Sequence, residues 1–319
     1  MSKLVIKSKK NKRNKKNITK KIKHTITPPF PIDIVYTWKG ENFSDNIRYS
    51  YNYELKYSLR SVFLYAPWVN KIYILMNKAK QPSWIKANDK IVILEHSQTF
   101  PLKHYLPNYN SNAIETTIAN ISSLSEHYIY FNDDFFLGRK TNYTDFFTPS
   151  GKAIVDINTI FNKKTLKNKE DNILNIKYPP NTYRTYKHIP IPQIKSLVLE
   201  FNKKYADYIH WIRSTKKRKL VGFGMCTKYH LNKPCQQIHY PIAKYMYSKN
   251  KAILYNADQM YVSNETGDFE YILKEILFRK PLFFCINDRE TNLKKKKKML
   301  KLLVSFFKEY YPKKTDFEL

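Results

Sequence analysis

The sequence predicts an α/β protein: a mostly parallel sheet flanked by helices, with a helical C-terminal part. Two observations carry this. In the first half, short β-branched and aromatic runs alternate with longer segments whose apolar residues recur every three or four positions. Strands that alternate with helices build parallel sheets with helices on both faces. In the second half the periodic segments lengthen and the apolar runs thin out, so helix dominates towards the end.

Each element has its own signal. "TPPFP" (27–31) breaks any helix and starts extended chain. "IDIVYTW" (32–38) is short, β-branched and aromatic, and reads as a buried strand. "NYELKYSLRSVFLYAPW" (52–68) reads as a helix, with Leu55, Leu59, Val62 and Phe63 on one face and Pro67 at its end. "VNKIYILMN" (69–77) is a strand, and "PSWIKANDKIVILEH" (82–96) is a short helix or turn followed by a strand at 91–95. "NSNAIETTIANISSLSEH" (110–127) reads as one helix carrying Ile114, Ile118, Ile121 and Leu124, and "YIYF" (128–131) as a fourth strand. The order is β-α-β-(α)-β-α-β. Further on, 151–164 suits strand or helix, 177–192 has four prolines and should be irregular, and 191–214 reads as one long helix. Helices are expected at 268–280 and 293–310, with "PLFFCIND" (281–288) a strand between them.

The chain has 319 residues, 42% hydrophobic and 15% aromatic, which gives ample material for a core. Its net charge is +31, and residues 1–24 hold eleven Lys/Arg and no acid. Residues 1–30 are therefore expected to be a basic, disordered tail, able to touch an anionic surface. Much of the basic character follows a Lys-, Asn-, Ile- and Tyr-rich composition, which weakens charge as a functional argument. Nucleic-acid binding is a competing reading of the charge, but no helix-turn-helix, RRM or zinc-finger pattern is present, so no specific nucleic-acid partner is expected. The three cysteines, Cys226, Cys235 and Cys285, form no CxxC pair, which argues against a disulfide framework or a structural zinc site. There is no apolar run of about 18 residues and no signal-peptide h-region. The expectation is a cytoplasmic, reduced protein, peripheral at most to a membrane.

"IYFNDDFFLG" (129–138) places Asn132, Asp133 and Asp134 inside an apolar run, where unpaired carboxylates are costly. Open α/β sheets bind ligands at the carboxyl ends of their strands. Thr37 and Trp38 end one strand, Asp133 and Asp134 follow another, and Asn287 and Asp288 end a third. Paired aspartates suit a hard divalent cation, Mg²⁺ or Mn²⁺, shared with substrate phosphates. The plainer reading is a turn capped by Asn and Asp. His188, in "YKHIPIP", is core filler or a general base. Arg213, at the end of an apolar helix face, is a solvated residue or a phosphate fork. Asn110, Ser111, Asn112 and Glu115 mark a helix start, which is a cap or a phosphate site.

Taken together, "IDIVYTW", "YELKYSLRSVFLYAPWVNKIYILMNKAKQPSW" (53–84), "LPNYNSNAIE" (106–115) and "IYFNDDFFLG" resemble the first two conserved regions of the Stealth family. "HIPIP" (188–192) with a helix reaching "WIR" (211–213) resembles the third, and "FFCINDRETN" (283–292) with the terminal "YYPKKTDFEL" (310–319) the fourth. The resemblance covers most of residues 31–319. It implies a Rossmann-like nucleotide-sugar transferase core. The reaction it implies moves hexose-1-phosphate, GlcNAc-1-phosphate being the family-weighted choice, from a UDP-sugar donor to a hydroxyl of a glycan or polysaccharide acceptor, with release of UMP and a divalent cation as cofactor. By motif position, Asp133, Asp134, His188 and Arg213 would be catalytic, and Asp133, Asp134 and Asp288 would hold the metal. Thr37, Trp38, Arg60, Asn110, Asn112, Glu115 and Asn287 would bind substrate. One catalytic domain over 31–319 is implied, 31–150 binding the nucleotide-sugar and 151–319 the acceptor. "STKKRK" (214–219) departs from the acidic residues that follow the third-region Arg in Golgi-type relatives, which affects acceptor recognition. The sequence leaves open an ordinary metal-dependent glycosyltransferase that releases UDP, because its acidic site would look the same.

Overall fold

The computed structural model describes residues 27–41, 53–156, 158–159, 184–185, 188–217 and 238–319. In chain order its elements are β1 (Ile32–Thr37), α1 (Glu54–Tyr65), β2 (Ile72–Met76), β3 (Ile91–Glu95), α2 (Ser111–Glu115), β4 (His127–Asn132) and β5 (Phe135–Leu137). Then come β6 (Ala153–Asp156), β7 (Asn158–Thr159), β8 (Arg184–Thr185), β9 (Ile191–Ile194), α3 (Lys195–Lys204), α4 (Ala206–Ser214), α5 (His239–Ser248), β10 (Ala252–Tyr255), β11 (Gln259–Ser263), α6 (Phe269–Arg279), β12 (Phe283–Asn287) and α7 (Leu293–Tyr310). The basic tail, Cys226 and Cys235 lie outside the described residues, as does most of 151–187. Among the described residues, no helix is long and apolar enough to cross a membrane.

The principal sheet, among these residues, runs β3-β2-β1-β4-β9. The first four strands are mutually parallel, as the alternating sequence predicts, and β9 closes the edge antiparallel to β4. β1, β2 and β4 are nearly fully buried, which is why they read as continuous apolar runs and not as alternating ones. The chain moves outward from β1 through β2 to β3, then returns to lay β4 on the other side of β1. The β1/β4 boundary is therefore where strand order reverses.

A second, smaller sheet runs β11-β12-β5, with β12 parallel to β11 and antiparallel to β5. Helix α1 is wedged between the two sheets, so it buries polar side chains as well as Leu55, Leu59 and Val62. Ser58 accepts or donates at 2.8 Å to the Tyr36 hydroxyl and donates to the Phe135 carbonyl. Ser61 accepts from the Leu137 N–H at 3.1 Å. Two serines one helical turn apart thus satisfy the free edge of β5 and fix where β5 begins. At its far end, Gly138 is required by close approach: a Cβ there would sit 2.1 Å from the Pro281 carbonyl oxygen. A second apolar cluster forms around this sheet, where Phe136 packs on Phe284 and on Phe307 of α7.

Two expected helices are corrected. The segment 110–127 is helical only over Ser111–Glu115, with a 3₁₀ turn at Ile118–Asn120. Thr116 and Thr117 turn their hydroxyls back onto the carbonyls of Ala113 (2.7 Å) and Ile114 (2.8 Å), a local bond that competes with helix propagation. Ile114, Ile118, Ile121 and Leu124 are buried all the same, so the spacing reported burial and not helix length. The segment 191–214 begins as strand β9, because Pro190 and Pro192 hold the chain extended, and then forms two helices broken at Tyr205.

Candidate active site

The carboxyl ends of β1 and β4 are adjacent: Thr37 pairs with Asn132 in register. The turn after β4 carries Asp133 and Asp134, and β5 then leaves in the second sheet. Since Cys285 pairs with Phe135, and the Ile286 N–H bonds the Asp134 carbonyl at 3.1 Å, the end of β12 is brought beside the aspartates. Three strand ends expected to bear ligands thus meet at one point, a topological switch point of the parallel sheet.

Asp134 keeps some exposure as a residue, but its Oδ1 is shielded from solvent and has no hydrogen-bond partner. Its Oδ2 receives a weak S–H bond from Cys285, at 3.4 Å. Burial, and then the charge of Asp133, push the Asp134 carboxyl up to about 8. Asp133 is raised too, chiefly by burial, with Lys39 opposing. Lys39 follows β1 by two residues, and burial lowers its ammonium pKa although Asp133, Glu54 and Asp288 pull the other way. Burial likewise holds the Cys285 thiol protonated.

Asp288 is supported from two sides. Asn264 donates to Oδ1 at 2.5 Å and Lys296 to Oδ2 at 2.5 Å, the latter pair largely buried. Asn264 also accepts from the N–H groups of Arg289 (2.8 Å) and Glu290 (2.9 Å), so it shapes the whole turn after β12. Glu54, buried in the first turn of α1, lines a small cavity with Asn264, Ile286, Asp288 and Lys296. The group comprises the carboxylates Glu54, Asp133, Asp134 and Asp288 and the ammonium groups of Lys39 and Lys296. If all were ionised, it would fall two charges short of neutrality.

A bound divalent cation fits that deficit and the orphaned Asp134 oxygen. Among the described residues, no three His, Cys, Asp or Glu side chains converge to hold a metal unaided. Mg²⁺ seldom needs such a cage: one or two carboxylates, with water and substrate phosphate, suffice. Asp133 and Asp134 could supply those carboxylates. The expected third ligand, Asp288, has both oxygens engaged by Asn264 and Lys296.

His188 is half-buried, its ring centroid 6.4 Å from that of Phe135, the residue after Asp134, and 5.5 Å from that of Tyr261. On the β1/β4 side, the buried Tyr130 hydroxyl is a hub. It donates to Asn132 Oδ1 at 2.5 Å and lies 3.1 Å from Thr37 Oγ1 and 3.3 Å from Glu115 Oε1. Glu115 in turn lies 3.3 Å from His239 Nδ1. Trp38 is buried at the end of β1, and Asn287 is half-buried at the end of β12.

Other expected ligands make bonds within the fold. Arg60 forks onto the Glu318 carboxylate, at 2.7 Å through Nε, and donates to the Tyr311 carbonyl at 2.5 Å. It fastens the C-terminal segment to α1. Asn110 caps α2 and donates to the Thr215 carbonyl at 3.0 Å, and Asn112 accepts from the Ile238 N–H at 3.4 Å. Arg213 binds Thr116 Oγ1 and the Thr116 carbonyl, both at 2.9 Å. Its fork secures the turn after Glu115. Lys39, Glu54, Tyr130, Asn264 and Lys296 went unread in the sequence. "KKKKK" (294–298) looks like a solvated face, and only the pitch of α7 turns its third lysine inward.

The fold and site define an α/β protein with an acidic cleft at the switch point of a parallel sheet. Two family models match: Stealth protein CR2, conserved region 2, over residues 48–155, and Stealth protein CR4, conserved region 4, over 274–319. The chain belongs to the Stealth family. It is 28% identical to exopolysaccharide phosphotransferase SCO2594 of Streptomyces coelicolor over 91% of this chain and 52% of that protein. It is 38% identical to capsular polysaccharide phosphotransferase LcbA of Aeromonas hydrophila over 40% of this chain and 41% of that one. It is 28% identical to capsular polysaccharide phosphotransferase fcs1 of Haemophilus influenzae over 88% and 84%. The chain spans about half the length of the Streptomyces relative. Among solved structures, the galactosyltransferase LgtC in complex with donor and acceptor sugar analogs aligns with a TM-score of 0.44 and 10% identity, over 86% of this chain and 95% of that one.

Proposed function

We propose that this protein is a phosphotransferase of polysaccharide synthesis that moves hexose-1-phosphate, GlcNAc-1-phosphate in the leading case, from a UDP-sugar to a sugar hydroxyl and releases UMP. The observation that carries the reading is the half-buried Asp133–Asp134 pair at the β1/β4 switch point, with one solvent-shielded carboxylate oxygen that has no hydrogen-bond partner. The names of the relatives support the reaction class.

In this reading, Asp133 and Asp134 hold a divalent cation, Mg²⁺ or Mn²⁺, that supplies charge neutralisation at the donor diphosphate. Lys39, beside Asp133, adds a second positive charge where the diphosphate would lie. Lys296 and Asn264 keep Asp288 and the turn behind it in one arrangement, so the Asn287 side chain is presented at a fixed place. His188 removes the proton of the acceptor hydroxyl as it attacks phosphorus, and the phosphorus–oxygen bond to UMP breaks. The Thr37–Tyr130–Glu115 hub, fastened behind by Arg213 through Thr116, keeps the β1/β4 side rigid. Such a site works by positioning and fixed charge, as phosphoryl transfer generally requires. On this reading residues 31–150 bind the donor and 151–319 the acceptor.

Product analysis tests it. Purified protein is incubated with UDP-GlcNAc, Mg²⁺ or Mn²⁺ and a panel of sugar acceptors. Acceptor-dependent UMP that disappears with EDTA is the expected result. UDP in its place would mean that the glycosidic bond is the one broken, and would overturn the assignment.

A further inference from the structure

Helices α6 and α7 pack together over the second core, and their outer faces carry an unusual surface. Phe278 is 86% exposed and Tyr271 64% exposed, and a core residue of either type would ordinarily be covered. At 100° per residue, positions 271 and 278 lie about 20° apart on α6, so the two rings share one stripe. Lys274 lies on the same stripe and pairs with Glu270 at 3.0 Å, and Glu270 also feels the charge of Lys298 on α7. The charged flank of the α6 stripe therefore lies near Lys298 of α7. Lys294, Lys295, Lys297, Lys298 and Lys301 are all exposed, while Lys296 alone of the run "KKKKK" turns inward to Asp288. Leu293, at the start of α7, is 58% exposed.

We propose that this α6/α7 face docks onto an anionic lipid bilayer. Lys294, Lys298 and Lys301 share one face of α7 within about 60°, with Lys295 and Lys297 at its flanks, and such ammonium groups repel one another in water and gain most from a surface of opposite charge. Charge alone would suit any polyanion. The two exposed rings point to a bilayer, because aromatic side chains flanked by Lys settle at the boundary between headgroups and acyl chains. Phe278, with Arg279 and Lys280 exposed directly after it, has that arrangement. One turn of α7 then serves two ends: Lys296 fixes the Asp288 turn while its neighbours hold the membrane. This holds the acidic cleft about one helix diameter, roughly 10 Å, from the lipid surface. The surface is built from residues of α6 and α7 alone, and it does not depend on the reaction assigned to the cleft.

The test is co-sedimentation of the full chain with vesicles of phosphatidylcholine, with and without phosphatidylserine. The wild type should bind the phosphatidylserine vesicles, and the double variant Y271S/F278S should bind about tenfold more weakly. A second variant, F278W, should show a blue-shifted fluorescence change on adding those vesicles, quenched by brominated lipid. Circular dichroism checks that the variants fold, which both should, since the rings are exposed. Unchanged binding by Y271S/F278S with no fluorescence shift in F278W would assign any vesicle binding to the basic tail and overturn the proposal. A wild-type dimer that Y271S/F278S converts to monomer would also overturn it, by showing that a second copy covers the face.

Discussion

Asp33 and Asp134 sit at opposite ends of the β1/β4 pair, and the fold treats their carboxylates differently. Asp33, at the amino end, is fully buried and satisfied. Its Oδ1 accepts from Asn70 Nδ2 (2.8 Å) and the Lys71 N–H (3.0 Å), and its Oδ2 from the Ser125 N–H (2.7 Å). It ties together the loops that enter β2 and β4. Asp134, at the carboxyl end, has one thiol as a partner and an oxygen with none. The same side chain, within one strand pair, is therefore a structural tie at one end and an incomplete ligand at the other. A buried carboxylate that the fold itself completes holds the fold together. One that the fold leaves incomplete calls for something from outside.

That contrast can be broken by mutation. Asp134→Asn should lower turnover by about 10³-fold or more while leaving the fold intact, because it removes a site charge and no structural bond. Product formation and circular dichroism measured together decide the matter, and an active, folded Asp134→Asn protein would sink the metal assignment. Asp33→Ala should do the reverse. It strands the N–H groups of Lys71 and Ser125 and should cost about 3 kcal/mol of stability, read by denaturant melts.

Linkage sharpens the comparison. The Asp134 carboxyl is held at about 8 in the folded protein, against an ordinary 3.8. Its contribution to stability is thus fully present below pH 3.8 and is lost as pH rises through 8. A divalent cation that binds the ionised form should restore it. Mg²⁺ or Mn²⁺ at a hundredfold excess over Kd stabilises by about 2.7 kcal/mol, and the rise in Tm should be larger at pH 8 than at pH 5. An equal rise at both would separate the cation from Asp134.

His96 gives a smaller effect from a buried group of the opposite type. Burial holds its imidazole at about 4, below the ordinary 6.5, and its Nδ1 has no hydrogen-bond partner. Because the folded pKa is depressed, this stability is present above 6.5 and is lost as pH falls through 4, up to about 3 kcal/mol. Replacing His96 by Phe should flatten that part of the pH–stability curve. Smallest of all, Arg213→Lys should cost about 1 kcal/mol, since a lysine cannot fork onto both oxygens of Thr116. A loss of turnover far beyond that would return Arg213 to the reacting groups.

By itself the sequence determined the elements whose signals are local. Continuous β-branched runs marked β1, β2, β3 and β4, and alternation with helices made the sheet parallel, because a parallel pair needs a crossover. Aspartates inside an apolar run marked the site, because burying them unpaired is costly. The sequence could not decide helix length where Thr116 and Thr117 bond backwards, nor that the prolines around Ile191 would open a strand. It could not show that Arg60 pairs with Glu318 or that Arg213 bonds Thr116. Only the tertiary structure brought Lys39, Glu54, Asn264 and Lys296 to the aspartates. Hydrophobic period reports which face is buried, but charge pairing depends on distances between residues far apart in the chain, and those are settled only when the two sheets close on α1.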